Sequence, residues 1–198
     1  RGLVAGIAEP QRRWPTAGHG MKILVFGHSG QVATELRALD GNGVEIIALD
    51  RAAADLTDPA ACAATIETHA PDAVINAAAY TAVDKAESDE ATVNVINAQA
   101  PVAMARVCAD RDIPFVSIST DYVFSGEGTA LWHPGDPTDP QGVYGRTKRD
   151  GEKLIEEIGG PYAILRTSWV VSAHGSNFIK TMLRLGAQRD ALTIVADQ

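Results

Sequence analysis

The sequence predicts an α/β fold, a Rossmann-like doubly wound parallel sheet, on three observations. Short apolar runs alternate with stretches of helical period, the order that builds parallel βαβ units with right-handed crossovers. The runs are nearly continuous in apolar residues, as suits strands covered on both faces. The polar clusters with chemical interest each follow such a run, where ligands bind beyond the C-terminal ends of the strands.

The elements follow in order. Lys22–Phe26 is a short apolar run ending in glycine and reads as a buried strand. Val32, Leu36 and Leu39 fall at helical spacing within Gln31–Leu39. Val44–Leu49 is a strand and Pro59–His69 a helix, with Asp58 placed to cap it. "DAVINAAA" is a strand running into a small-residue loop. Glu90 to Arg111 suits a long helix that Pro101 begins anew or kinks. "PFVSIST" is a fourth strand, followed by a loop holding Pro134, Pro137 and Pro140. Val143–Glu157 is a helix, "YAILRTS" a fifth strand, Asn177–Leu185 a helix and "LTIVA" a sixth strand. Residues 1–20 show no clean period, so an upstream extension outside the fold is expected, with the domain covering 21–198. The closing "LTIVADQ" resembles a strand entering its exit loop, so a fragment is expected.

Bulk properties narrow the function classes. The chain has 198 residues, 45% hydrophobic and 21% charged, enough for one sizeable domain. A formal charge of −8 disfavours a general nucleic-acid binder. No apolar run approaches the roughly 20 residues of a membrane span. Cys62 and Cys108 lack metal or redox spacing and read as buried free thiols in a reducing cytosol.

"VFGHSGQVATEL" joins the first strand to the first helix. Gly27, Gly30 and Ala33 stand three apart, a Gly-x-x-Gly-x-x-Ala pattern rather than Gly-x-Gly-x-x-Gly. Glycine lets the backbone turn sharply and lets a pyrophosphate approach the helix N-terminus, while Ala33 permits close helix–strand packing. A plain tight turn would use the same glycines; the position between strand and helix favours a dinucleotide. Asp50 and Arg51 close the second strand. An acid there can accept from an adenosine ribose and an arginine can hold a 2′-phosphate, which leaves NADH and NADPH both open. Asp55 and Leu56 could flank the adenine, although a solvated turn would look alike.

"GVYGRTKRDGEKL" opens the fourth predicted helix with Tyr144 and Lys148 on one face, one turn apart. The pair is either an ordinary surface contact or a tuned proton donor. A free tyrosine, with a pKa of about 10, is poorly matched to neutral pH. An ammonium about 4–5 Å away at an effective dielectric near 20 contributes on the order of 3–4 kcal/mol. Partly screened, that is expected to lower the phenol's pKa by roughly two pH units. Thr120 closes "SIST" at the end of the fourth strand and supplies a hydroxyl beside the pair.

These residues together resemble the short-chain dehydrogenase/reductase superfamily, in particular the extended branch that acts on nucleotide sugars. "GHSGQVATEL", "INAAAYTAVDKAE", "STDYVFSG", "VYGRTKRDGE" and "LRTSWVV…NFIKTMLRL" agree in order and spacing with the dTDP-4-dehydrorhamnose reductase family, from Met21 onward. The resemblance implies an NADPH- or NADH-dependent reduction of dTDP-6-deoxy-L-lyxo-4-hexulose to dTDP-L-rhamnose by a cytoplasmic enzyme, in nucleotide-sugar and cell-surface polysaccharide synthesis. It implies that Gly30, Gln31 and Val32 contact the pyrophosphate and that Asp50, Asp55 and Leu56 surround the adenosine. Ala79, Tyr80 and Thr81 would line the cofactor, and Tyr144 and Lys148 would meet its nicotinamide half. Thr120 and Asp121 would meet the sugar, with Trp169 packing on it or serving as core. Glu35 is a candidate magnesium ligand, and a homodimer is allowed. Members of the family continue into a smaller substrate lobe that this chain largely lacks. Two rivals remain open: an extended-branch epimerase or dehydratase that keeps its NAD, and a non-catalytic regulatory subunit on the same scaffold.

Overall fold

A computed structural model describes residues 20–194. The expected upstream extension lies outside these, apart from Gly20. Five parallel strands form one sheet in the order β2-β1-β3-β4-β5. They are β1 (Met21–Phe26), β2 (Val44–Leu49), β3 (Ala73–Asn76), β4 (Phe115–Thr120) and β5 (Tyr162–Thr167). Strand order reverses between β1 and β3, and a doubly wound sheet opens its ligand crevice at that switch point. The register sets Phe26 beside Leu49 and Asn76, and Asn76 beside Ser117, so β4 and β5 run three residues further, to Thr120 and Thr167.

The connecting helices are α1 (Gln31–Arg37), α2 (Pro59–His69), α3 (Val83–Ala86), α4 (Glu90–Asn94), α5 (Ala100–Asp110), α6 (Val143–Ile158) and α7 (Phe178–Gly186). Local chemistry explains their ends. Asp58 accepts from the Ala61 amide at 3.0 Å, with Pro59 in the first turn of α2. Asn177 does the same for α7, accepting from the Lys180 amide at 3.0 Å. The long helix expected between Glu90 and Arg111 is continuous but carries a π turn over Val95–Gln99, just ahead of Pro101. Such a turn accommodates a residue lacking an amide hydrogen and re-aims the side chains around it.

α2 packs on α5 and α5 on α6, forming one layer. The core lies between this layer and the sheet, with Leu24, Phe26, Val74 and Phe115 facing Cys62, Ile66, Met104 and Ile155. Burial raises the thiol of Cys62 to about 11 and that of Cys108 to about 12, so both are inert, as buried free cysteines should be. Right-handed crossovers put α1 on the opposite face. α7 joins it there through Asn177 Nδ2, which donates to Gln31 Oε1 at 2.9 Å. That face is less covered than the apolar strands imply: Ala163 and Leu165 on edge strand β5 are exposed, and no residue of α7 is buried. The sixth strand does not form over Ala191–Ile194, and the rest of "LTIVA" lies outside the described residues.

Candidate active site

A groove of about 1060 Å³ runs along the C-terminal ends of the inner strands. It is at the upper end of the range for small-molecule and cofactor clefts. Its floor begins at the β1–α1 loop. Gly27 adopts φ +117, which is why this position needs glycine; a Cβ there would make only ordinary contact with the Ala77 backbone, at 3.4 Å. Gly30 opens α1 with nothing within 4 Å of where its Cβ would sit and no side chain capping the first amides. Gly30, Gln31 and Val32 line one end of the groove, and Ala79 and Thr81 its wall.

The opposite end is built by β4 and α6. Thr120 ends β4, where its hydroxyl accepts from the Tyr122 amide at 3.2 Å and donates to Asp121 Oδ1 at 3.1 Å. The other oxygen of Asp121 accepts from Ser168 at 2.6 Å. Tyr144 and Lys148 enter from the first two turns of α6. That helix starts at Gly142 without a cap of its own; the carboxylate of Glu87 accepts from the Val143 amide at 2.8 Å instead. Gly145 lets α6 come close, because a Cβ there would collide with the Tyr122 carbonyl oxygen. Trp169 lines the same end, packs edge-on against Phe178 at 4.8 Å and holds φ at +52. That conformation strains a bulky residue, and such strain gathers at binding sites. At 58% exposure Trp169 is not core.

The electrostatics differ from the expectation of a lysine-acidified phenol. Lys148 is only 4% exposed, and its ammonium donates to the Ile118 carbonyl at 2.8 Å. Burial brings its pKa down from 10.5 to about 8, against the opposing pull of the Glu152 carboxylate. Tyr144 moves upward, not downward. Desolvation dominates, a hydrogen bond with Thr120 opposes it, and the charges of Asp121 and Tyr122 add to the rise. The cause is plain: the ammonium is engaged by a backbone carbonyl and does not figure among the groups that shift the phenol, while loss of water raises it.

Other expected residues fall outside the groove's lining. Asp50 Oδ1 accepts from the Ala53 amide at 2.9 Å, and Arg51 pairs with Asp55 at 3.2 Å, all at the end of β2 beside Gly27. Leu56 is buried in the core. Tyr80 packs against Ala86, Val93 and Val143. Glu35 accepts from Ser172 at 2.6 Å and lies 3.9 Å from His174. Among the described residues no group of three or more His, Cys, Asp or Glu side chains gathers that could hold a metal.

Sequence reasoning missed Asn97. It sits buried in the π turn, where Oδ1 accepts from the Tyr80 amide at 2.9 Å. Its Nδ2 donates to the Tyr80 carbonyl at 3.2 Å and to Thr147 Oγ1 at 3.4 Å. Asn97 thus fastens the β3 loop to α6. Its partners lie 17 and 50 residues away, and nothing in "VNVINAQA" sets it apart from Asn94 and Gln99 beside it.

Comparison with known proteins agrees with this geometry. The dTDP-4-dehydrorhamnose reductase of Burkholderia thailandensis is 46% identical over 179 residues, covering 90% of this chain and 60% of the relative. A solved dTDP-4-dehydrorhamnose reductase from Clostridium acetobutylicum superposes with a TM-score of 0.85 at 40% identity, covering 90% of this chain and 64% of that one. The Bacillus anthracis reductase, solved in complex with NADP, gives 0.85 at 33% identity with the same coverage. The chain spans about 60% of the length of the curated relatives it matches. Residues 21–198 match the model of the RmlD substrate binding domain, and the chain belongs to that family.

Proposed function

We propose that this chain carries the cofactor-binding and proton-delivering part of an NAD(P)H-dependent reductase that converts dTDP-4-dehydro-L-rhamnose to dTDP-L-rhamnose. One observation carries the reading: Gly30–Val32 and the Thr120, Tyr144 and Lys148 set face a single groove at the switch point of the sheet. The residues fit a nicotinamide dinucleotide. The β1–α1 loop would hold its pyrophosphate, Asp50, Arg51 and Asp55 its adenosine end, and Lys148 its nicotinamide ribose. The cofactor, when bound, supplies the hydride.

The chain's own residues manage the proton. Charge gathers on the substrate's carbonyl oxygen as the keto group is reduced, and that oxygen must be protonated. Burial keeps Tyr144 protonated at neutral pH, which is the form a reduction requires. The Thr120 hydroxyl, whose oxygen is already fixed by the Tyr122 amide, can turn its hydrogen from Asp121 to the substrate oxygen. Lys148, still charged below about pH 8, stabilises negative charge near the phenol during transfer. Asp121 and Trp169 would contact the sugar. The same reading takes the enzyme to be cytoplasmic and to form a homodimer; its support for the cytoplasm is two unpaired, inert thiols. No helix among the described residues is long and apolar enough to cross a membrane.

The test is an assay of the full-length enzyme with 4-keto-6-deoxy dTDP-sugars and each reduced nicotinamide. Consumption of NADPH or NADH matched by formation of dTDP-L-rhamnose is expected. Sugar turnover without net cofactor use would instead favour an epimerase or dehydratase. Tyr144→Phe should lower turnover by about two orders of magnitude, in line with lost acid catalysis, while cofactor affinity holds.

A further inference from the structure

Glu152 stands on α6 one turn beyond Lys148, with a carboxylate that is only 3% exposed. Both oxygens are fully used. Oε1 accepts from Ser119 Oγ at 2.6 Å and from Arg166 Nε at 3.0 Å. Oε2 accepts from Arg166 Nη2 at 2.7 Å and from Arg149 Nη1 at 3.3 Å. The two bonds from Arg166 make a planar fork, which fixes direction as well as distance.

Each arginine also reaches past the carboxylate to the segment 125–142, which joins the end of β4 to α6. Arg166 Nη1 donates to the Pro134 carbonyl at 3.0 Å. Arg149 Nε donates to Thr138 Oγ1 at 2.8 Å. The Arg166 guanidinium also lies 4.9 Å from the centre of the Phe124 ring, and Phe124 stacks on Trp132 at 4.7 Å and 8°. The segment contains no helix or strand before α6, and its two ends, at Ser125, Gly126, Gln141 and Gly142, line the groove. The two arginines supply polar side-chain anchors for it, beside a backbone bond from the Asp139 amide to the Val123 carbonyl at 3.0 Å. Both arginines meet at the Glu152 carboxylate, and Arg149 Nη1 also reaches Glu156 at 3.4 Å.

A buried ionic trio is weak evidence for stability, because apolar residues of similar volume often serve as well. What it does provide is fixed geometry across β4, β5, α6 and the segment. We propose that Glu152 is a positioning residue which, through Arg166 and Arg149, holds segment 125–142 at the substrate end of the groove. The proposal rests on the reductase reading for the identity of the substrate, but the tie itself does not.

Hydrogen exchange on the full-length enzyme, read peptide by peptide, separates the two. In Glu152→Gln, exchange within 125–142 should speed up about tenfold while β1 and α1 stay unchanged, the mark of local rather than global opening. The Michaelis constant for the keto-sugar should rise about tenfold, with NADPH affinity within about twofold, because only the sugar end is loosened. If Glu152→Gln fails to fold, Arg149→Met keeps the Glu152–Arg166 fork and should speed exchange around Thr138 alone. Unchanged exchange in 125–142 in a folded variant, or a rise spread evenly over the sheet, overturns the proposal. A wild-type enzyme that reduces no keto-sugar overturns the reductase reading, while the exchange data still decide the tie.

Discussion

Replacing Lys148 by methionine should stabilise the fold while removing a residue assigned to the cofactor. The ammonium is buried, and its pKa falls from 10.5 to about 8. At 1.36 kcal/mol per pH unit, that drop corresponds to about 3 kcal/mol of destabilisation while the native lysine is charged. Methionine has a similar length and no charge, but it surrenders the hydrogen bond to the Ile118 carbonyl, a loss of about 1–2 kcal/mol. The net expectation at pH 7 is a gain of about 1–2 kcal/mol, by the same bookkeeping. Below about pH 8 both native and unfolded lysine carry the proton, so the penalty is complete. Between about 8 and 10.5 the unfolded chain binds the proton that the native chain has released, so wild-type stability rises with pH. The advantage of Lys148→Met should therefore shrink across that window, vanish near its middle and reverse toward its upper end, where neutral lysine still keeps the hydrogen bond to Ile118. Urea unfolding of wild type and variant from neutral to alkaline pH measures it, and the difference between them cancels the titration of other groups. A variant no more stable at pH 7, or a gap that does not close with pH, refutes the argument that burial dominates this lysine.

Two further perturbations test the site's construction. Glycine is disfavoured inside a helix by about 1 kcal/mol relative to alanine, so Gly145→Ala on an open helix would stabilise. Here the new methyl meets the Tyr122 carbonyl, and a net loss of about 1–3 kcal/mol in thermal or urea unfolding is expected, with lower turnover as α6 shifts. A stabilised variant would show that the close approach of α6 is not rigid. Arg51, whose side chain is 80% exposed, is held by Asp55 at the end of β2. If it receives a 2′-phosphate, Arg51→Ala should raise the Michaelis constant for NADPH about tenfold and leave that for NADH nearly unchanged. Equal effects on both cofactors would remove it from discrimination.

The sequence revealed what local chemistry decides. Asp58 and Pro59 announced the start of α2, and Gly27 the turn after β1, because caps and positive φ are set by neighbours in the chain. Tyr144 and Lys148 were legible because helical periodicity alone puts them on one face. What stayed hidden depends on tertiary partners. Nothing near Asn97 in sequence indicates that it will grip both the amide and the carbonyl of Tyr80. Nothing near Glu152 indicates two arginines and a serine converging on it. The sign of the Tyr144 shift was misjudged for the same reason. Spacing brings the ammonium near, but only the fold reveals that the Ile118 carbonyl occupies it and that the phenol is desolvated.

That reversal alters the chemical argument instead of weakening it. A phenol acidified by two pH units would suit an enzyme that removes protons, since its anion would be available near neutral pH. A reductase needs the opposite resting state, a neutral phenol beside the forming alkoxide. Tyr144, raised by burial, meets that need, and the proton moves only when a stronger base appears on the substrate. In the proposed reaction Lys148 would then act on the tyrosinate left behind, not on the resting phenol. A charge held in a site this dry is worth more to a transient anion than it would be in water. On the proposed function the groove would deliver a proton on demand, and the full-length enzyme's activity should decline as pH rises through about 8, where Lys148 loses its charge.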